Sequence, residues 1–227
     1  MVGVVSEPIS TQIERYGFYE PGLSRFLIEH LSVGAFIDVG AHFGYFSLLA
    51  ASLLGDRGQV HSFEPVPSTS QVLEMNCSGV SNIALNGLAV SNAVGRVSIT
   101  DLGIAFSAYN TLGTPRTDRP VDSPRLTVAS TTLDDYVLDQ RLNPAMIKID
   151  AENWDLAIVQ GAVETLRAHR PIVVLEAWDE SIAEGTVALF HEIRRELRYE
   201  LMKLDLRGVL SEITEGDSPD SLVLQPR

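Results

Sequence analysis

Residues Phe36 to Glu64 (FIDVGAHFGYFSLLAASLLGDRGQVHSFE) constrain the fold more than any other stretch of the chain. An apolar run, Phe36 to Val39, leads into the turn Gly40-Ala-His-Phe-Gly44. A strongly apolar segment, Tyr45 to Leu54, follows and stops at Gly55, and a second strand-like run, Gln59 to Phe63, ends on Glu64. The order is strand, glycine turn, helix, strand, acid. Glycines let the backbone approach a ligand closely, and an acid about twenty positions on can accept hydrogen bonds from two ribose hydroxyls. The stretch predicts a nucleotide-type cofactor site in an α/β domain.

The rest of the chain continues the alternation. Residues 1–20 have weak periodicity and read as an irregular lead-in or lid. From Pro21, the residues Leu23, Phe26, Leu27 and Leu31 fall at helical spacing, and Gly34 is a suitable stop. After Pro65 and Pro67 a helix is expected from about Ser68, as N-cap, to Ser78, with Cys77 an ordinary small residue near its end. Ile83 to Val90 reads as the third strand, and Gly95 to Asp101 and Arg125 to Ser130 as further strand pieces. Residues 102–124 have no period, and so long a loop in a compact domain is a candidate substrate lid; Phe106, Tyr109 and Asn110 lie in it. Thr132-Leu-Asp-Asp135 opens a helix with a hydroxyl cap and acids in its first turn.

Ala145 to Ile149 reads as a buried strand ending at Asp150, Trp154 to Ala168 as one long helix, and Pro171 to Leu175 as a parallel-type strand ending at Glu176. A helix from Ser181 to Leu197 is next. The strands Tyr199–Asp205, Val209–Ile213 and Ser221–Gln225 close the chain, with Arg207-Gly208 as a turn and no helix between. No linker divides residues 1–227, which read as one domain with residues 1–33 as an N-terminal lid and helix.

Thirty acids against 17 bases leave a formal net charge of −13, which repels phosphate backbones. Arg116, Arg119 and Arg125 are too few and too interrupted to form a basic patch, so a small-molecule acceptor is expected rather than nucleic acid. Cys77 is the only cysteine, so no internal disulfide forms. The first ten residues lack signal-peptide character and no apolar run is long enough to span a bilayer. A cytoplasmic monomer or homodimer, away from membranes, is expected.

Two cofactor classes compete for the glycine turn. Nicotinamide dehydrogenases use G-x-G-x-x-G with a helix N-terminus facing a pyrophosphate. Here two glycines stand four apart, a histidine and aromatics fill the turn, and Asp38 precedes it, where a pyrophosphate would be repelled. S-adenosylmethionine has no phosphate and carries an ammonium and a sulfonium, so an acid at the strand end suits it better.

The runs DVGAHFGYFSL, HSFEP, TTLDDYV, MIKIDAENWDLAIVQGA and PIVVLEAW together resemble the FkbM-type S-adenosylmethionine-dependent methyltransferases, from about Glu20 to the C-terminal strands. The resemblance implies the class I methyltransferase fold, a Rossmann-like α/β architecture. Its seven-stranded sheet is mostly parallel, with one antiparallel strand near the C-terminus and helices on both faces. It places Asp38, Gly40 and Gly44 around the methionine end of the donor, Glu64 at the ribose, and Ala89 near the adenine at the end of the third strand. Ala41, His42 and Asp150 complete the expected donor-binding set. The family commonly has asparagine at the position of His42 and a D-V-E-G-like run where this chain has Asp150-Ala-Glu-Asn153.

Methyl transfer needs positioning and, for an alcohol acceptor, a group to take the proton. Asp150, Glu152 and His42 are the candidate bases, with Glu152 and Asp155 alternatively capping the next helix. A divalent-metal cluster of Asp150, Glu176 and Asp179 is a less favoured arrangement. His61, His169 and His191 read as ordinary residues, Lys148 as the partner of an acid, and Trp154 and Trp178 as pocket wall or core. The expected activity is methyl transfer to a hydroxyl of a sugar or polyketide-type natural product. A nicotinamide-dependent oxidoreductase, or a domain that keeps the donor pocket without catalysis, stands as the alternative.

Overall fold

β1 (Ala35–Val39) is buried along its whole length, with Ala35, Ile37 and Val39 in one apolar layer and Phe36 in the other. A strand covered on both faces suits the centre of a parallel sheet. It pairs in parallel with β2 (Gln59–Phe63) and β7 (Pro144–Ile149); β2 continues to β3 (Ile83–Asn86) and β7 to β8 (Ile172–Glu176). β11 (Ser221–Pro226) runs antiparallel to both β8 and β9 (Tyr199–Leu204), as expected for the C-terminal strand. The computed structural model describes residues 1–5, 7–109, 124–151, 154–176, 189, 192–213 and 221–227.

Among the described residues the main sheet has eight strands, in the order β10-β9-β11-β8-β7-β1-β2-β3. The strand beyond the expected seven is β10 (Leu210–Glu212), which folds back antiparallel on β9. Its turn is pinned by Asp205, whose carboxylate accepts from the backbone N–H groups of Arg207 and Val209 at 2.9 Å each. A second sheet has the order β4-β6-β5 and comprises β4 (Ala89–Val90), β5 (Gly95–Thr100) and β6 (Arg125–Thr131).

Four expectations change. The third strand ends at Asn86; Ala89 and Val90 leave the main sheet to pair with Ser130 and Thr131 of β6. Gly87 stands at the break, where chain direction can change without a side chain in the way. The lead-in contains a helix, α1 (Pro8–Tyr16), with Pro8 in its first turn and Glu7 as cap. The helix after β2, α4 (Pro67–Cys77), starts on Pro67 with no side-chain cap, because proline at the first helical position removes one orphan N–H. The expected long helix is two, α6 (Asp155–Gln160) and α7 (Val163–His169).

Close packing explains the last break. A Cβ on Gly161 would lie 2.3 Å from the Ser91 carbonyl oxygen, so the chain passes too near for a side chain. α7 then takes its cap from a neighbour: Asp134, in α5 (Leu133–Gln140), accepts from the backbone N–H of Glu164 at 3.1 Å and of Thr165 at 2.7 Å. α5 has the hydroxyl cap expected for it. Thr132 Oγ1 accepts from Asp135 N at 3.0 Å and donates to Asp135 Oδ2 at 2.7 Å. Thr132→Ala should therefore lower stability by about 1 kcal/mol in urea unfolding, with the slope of the transition unchanged.

α2 (Pro21–His30) and α3 (Tyr45–Leu54) pack together over the Phe36 face. α5, α6 and α7 cover the Ile37 face. Of the helix expected over 181–197, residues 192–196 are helical and most of the rest lies outside the described residues. Among the described residues no helix is long and apolar enough to cross a membrane.

Candidate active site

β1, β2 and β7 end side by side, and register places Asp38 between Ser62 on β2 and Lys148 on β7. All three are buried on the face that meets α3. Ser47 of α3 donates to Asp38 Oδ2 at 2.6 Å and lies 2.7 Å from the Ser62 hydroxyl. Because the single Ser47 proton is directed to the carboxylate, Ser62 donates to Ser47. Lys148 Nζ donates to Asp150 Oδ2 at 3.0 Å and sits 3.7 Å from Asp38 Oδ1. Its ammonium also lies 5.2 Å from the centre of the Phe46 ring, a cation–π distance. A polar chain thus runs beneath the glycine turn, from Ser62 through Ser47, Asp38 and Lys148 to Asp150 at the strand end.

The turn needs its first glycine for two reasons. Gly40 has φ +76°, and a Cβ there would lie 1.9 Å from the Asp150 carbonyl oxygen. Gly40 and Ala41 both donate their backbone N–H to Phe63 O, at 3.1 and 2.9 Å, so the turn is laid across the end of β2. Glu64, the next residue, closes the arrangement. Its Oε2 accepts from His42 N at 3.1 Å and its Oε1 from Val66 N at 3.0 Å.

A cleft enclosing about 660 Å³, including its mouth, opens above these strand ends. Glu64 and Asp150 supply its acids, and Leu88, Ala89, Ile99 and Ile158 are among its apolar walls. No lysine or arginine lines it among the described residues. A smaller cleft of about 290 Å³ has an aromatic wall of Tyr19, Phe43, Tyr45 and Phe46, and reaches Lys148. The two share Ile9, Gly40, His42 and Asp150. Ile9 brings α1 over the site, and Ser107, in the 3-10 segment Ile104–Tyr109, brings the start of the long loop to His42.

Burial sets the charge states. It pushes the Glu64 carboxyl up to about 7, against the backbone N–H bonds from Val66 and His42 that favour the anion. Burial likewise raises Asp38, opposed by Lys148 and Ser47. Burial alone would lower Lys148, but Asp150 and Asp38 outweigh it, and the lysine is held charged above its ordinary range. Two carboxylates share one ammonium; Asp150 is the nearer and the more exposed, so the burden of burial falls on Asp38. Burial lowers His42 to about 4, opposed by Glu7 and Asp150. Asp155, whose Oδ1 accepts from Ala151 N at 3.3 Å, is raised to about 7 by burial and by Asp150.

A family model described as the methyltransferase FkbM domain matches residues 38–203, most of the chain. The chain belongs to the FkbM methyltransferase family. Among solved structures, this FkbM chain is similar to a methyltransferase FkbM from Methylobacillus flagellatus KT (TM-score 0.54, 18% identity), covering 85% of this chain and 43% of that one. It therefore spans less than half the length of that relative. A SAM-dependent O-methyltransferase from Thermotoga maritima superposes with TM-score 0.51 at 10% identity, over 95% of this chain and 70% of that one. An O-methyltransferase from Bacillus cereus, in complex with SAH, gives 0.51 at 11% identity, over 90% and 78%. At these identities the likeness is one of fold, that of class I methyltransferases. No curated protein matches the chain.

In this FkbM chain Gly40, His42, Glu64, Ala89 and Asp150 all line the larger cleft, and Ala41 lines the smaller. Ala89 reaches it from β4 rather than from the end of β3. Asp38 and Gly44 line neither. Asp38 is the buried partner of Lys148, and a Cβ on Gly44, at φ +90°, would lie 2.6 Å from Leu73 Cδ1 of α4. Both act from beneath the turn. Glu152, Asn153, Trp178, Asp179, Asn110 and His191, and the side chains of Tyr109 and Glu176, lie outside the described residues. Among the described residues no three His, Cys, Asp or Glu side chains form a metal-holding group. Trp154 packs against the core and donates from Nε1 to Ser91 Oγ at 3.2 Å.

Ser107, Ser47, Ser62 and Glu7 carry no sequence signal of the kind the strand-end acids carry. Lys148 did offer one: two residues before Asp150 on a strand, it shares that residue's face.

Proposed function

We propose that this chain is an S-adenosylmethionine-dependent O-methyltransferase that acts on a hydroxyl of a small molecule, a sugar or polyketide-type natural product. The observation that carries the reading is the larger cleft itself: a carboxylate at the end of β2, an apolar slot beside it, and no lysine or arginine among the described lining residues. A pyrophosphate would find no lysine or arginine among the described residues there, whereas an adenosine with a cationic tail meets acids and apolar walls. Each Glu64 oxygen accepts one backbone N–H and keeps a further lone pair, which suits a ribose diol. Leu88, Ala89 and Ile99 suit a purine face, and Asp150 suits the ammonium or sulfonium.

When bound, S-adenosylmethionine supplies a methyl group on a positively charged sulfur. The chain's own part is to hold the acceptor, exclude water and take a proton. The aromatic wall of the smaller cleft gives an acceptor ring an apolar face to lie against. Asp150 and His42 stand where the two clefts share residues, so an acceptor in the smaller one is within reach of both.

The test is transfer from methyl-labelled donor to a panel of hydroxyl compounds: methyl α-glucoside, catechol, and hydroxylated polyketide lactones. Label recovered as a methyl ether supports the reading. Label recovered only on nitrogen or carbon, in parallel incubations with amines and enols, would contradict it.

A further inference from the structure

The His42 imidazole is fixed from one side. Its Nε2 lies 2.7 Å from Ser107 Oγ, and the Ser107 hydroxyl donates to Ile104 O at 2.9 Å. A hydroxyl has one proton and a carbonyl can only accept, so the imidazole is the donor at Nε2. A neutral ring protonated on Nε2 has its lone pair on Nδ1. No described residue is hydrogen-bonded to Nδ1, and His42 lines both clefts. The ring packs against Phe43 with centroids 3.8 Å apart, and the His42 backbone has φ +50°, which limits its freedom. Ser107 is itself buried, at 5% exposure, so its hydroxyl is a fixed partner rather than a solvent-facing one.

We propose that Ser107 is the positioning residue of the transfer site: it holds His42 in the tautomer whose Nδ1 takes the acceptor's proton. The inference rests on the methyltransferase reading. In the step, the bond from acceptor oxygen to methyl carbon forms as the carbon–sulfur bond breaks, with that electron pair staying on sulfur. The hydroxyl proton passes to Nδ1, and the O–H electrons remain on oxygen.

The surrounding charges suit this role. Glu7, at the start of α1, and Asp150, after β7, favour the imidazolium that forms, while Lys148 opposes it. Glu64 holds the His42 backbone N–H and so fixes the main chain under the ring. Asp150 Oδ2 already accepts from Lys148 Nζ at 3.0 Å, so that oxygen is engaged by an ammonium. Burial keeps the free imidazole neutral down to about pH 4. A base of that strength suffices, because the oxygen becomes far more acidic as its bond to carbon forms.

Nitrogen-15 NMR of the His42 ring in the free protein reads the tautomer without any acceptor. Wild type should show protonated Nε2 and an unprotonated Nδ1 at pH 7. Ser107→Ala should show a mixture, and Ser107→Thr should restore the wild-type pattern. Transfer is then read with methyl-labelled donor and whichever of methyl α-glucoside, catechol or the lactones gives product. Ser107→Ala should lower kcat about ten-fold with KM for the donor unchanged, as expected for one lost orienting hydrogen bond. His42→Asn should lower it by about a hundred-fold. A wild-type ring protonated on Nδ1 would overturn the proposal, and so would equal kcat in wild type and Ser107→Ala. Failure of the wild-type protein to bind S-adenosylmethionine by calorimetry would instead remove the methyltransferase reading beneath it.

Discussion

Lys148→Met should destabilise the protein by about 3–5 kcal/mol, the range for removing one partner of a buried ion pair. Methionine nearly matches the lysine stem in volume, so packing against Phe46 is largely kept and the lost term is charge. The variant leaves Asp38 at 1% exposure with only Ser47 as a partner for Oδ2, and Asp150 without its ammonium. The pH dependence separates this cause from simple misfit. In the wild type the Lys148 pKa is raised, so its contribution is complete below the ordinary lysine range and is lost only as pH rises through the folded value. Asp38 is raised by burial, so ionising it opposes folding as pH rises through its folded value. Without Lys148 that opposition has less to offset it. The stability gap between variant and wild type, measured by urea unfolding, should widen from pH 5 to pH 8. A gap below about 1 kcal/mol at both pH values, the size of a surface pair, would show that the three charges are not coupled.

Glu64→Gln should weaken S-adenosylmethionine binding by about 10–100-fold, the equivalent of one charge-assisted hydrogen bond. The carboxylate holds two backbone N–H groups and has lone pairs left for a diol. Glutamine has one acceptor oxygen, so its amide N–H₂ must face one of those backbone donors. The wild-type protein should also show pH-dependent affinity. Burial pushes Glu64 up to about 7, so its carboxyl favours folding most when protonated, and that stabilisation is lost as pH rises through about 7. Ribose hydroxyls hydrogen-bond best to the anion, so donor affinity should rise between pH 6 and pH 8 and binding should release protons. The glutamine variant should show no such rise. Isothermal titration at the two pH values measures both effects.

The parts of the site that are legible in the sequence are those where one residue type answers to one local need. Gly40 is required by a positive φ and by the Asp150 carbonyl oxygen, and Glu64 follows directly on a short strand that is buried from Val60 to Phe63. The Thr132 cap and the Gly208 turn are local in the same sense. What is not legible depends on approach from elsewhere in the chain. The break at Gly161 is caused by Ser91, 70 positions away, and the cap on α7 comes from α5. Ala89 leaves β3 because β6 offers it a partner, and β6 lies beyond the long loop. Ser107 sits in a segment without period, and only the fold reveals that it meets His42. Lys148 is intermediate. Its face follows from strand alternation, but its two acids become evident only from the register of β1 against β7.

The most direct test of the central claim is a calorimetric titration of the wild-type protein with S-adenosylmethionine and, separately, with NAD. One site for S-adenosylmethionine, tightening between pH 6 and pH 8, and no heat with NAD is the result that fits a cleft with a strand-end carboxylate and no lysine or arginine among its described lining residues. Saturable binding of NAD, with none of S-adenosylmethionine at either pH, would contradict it.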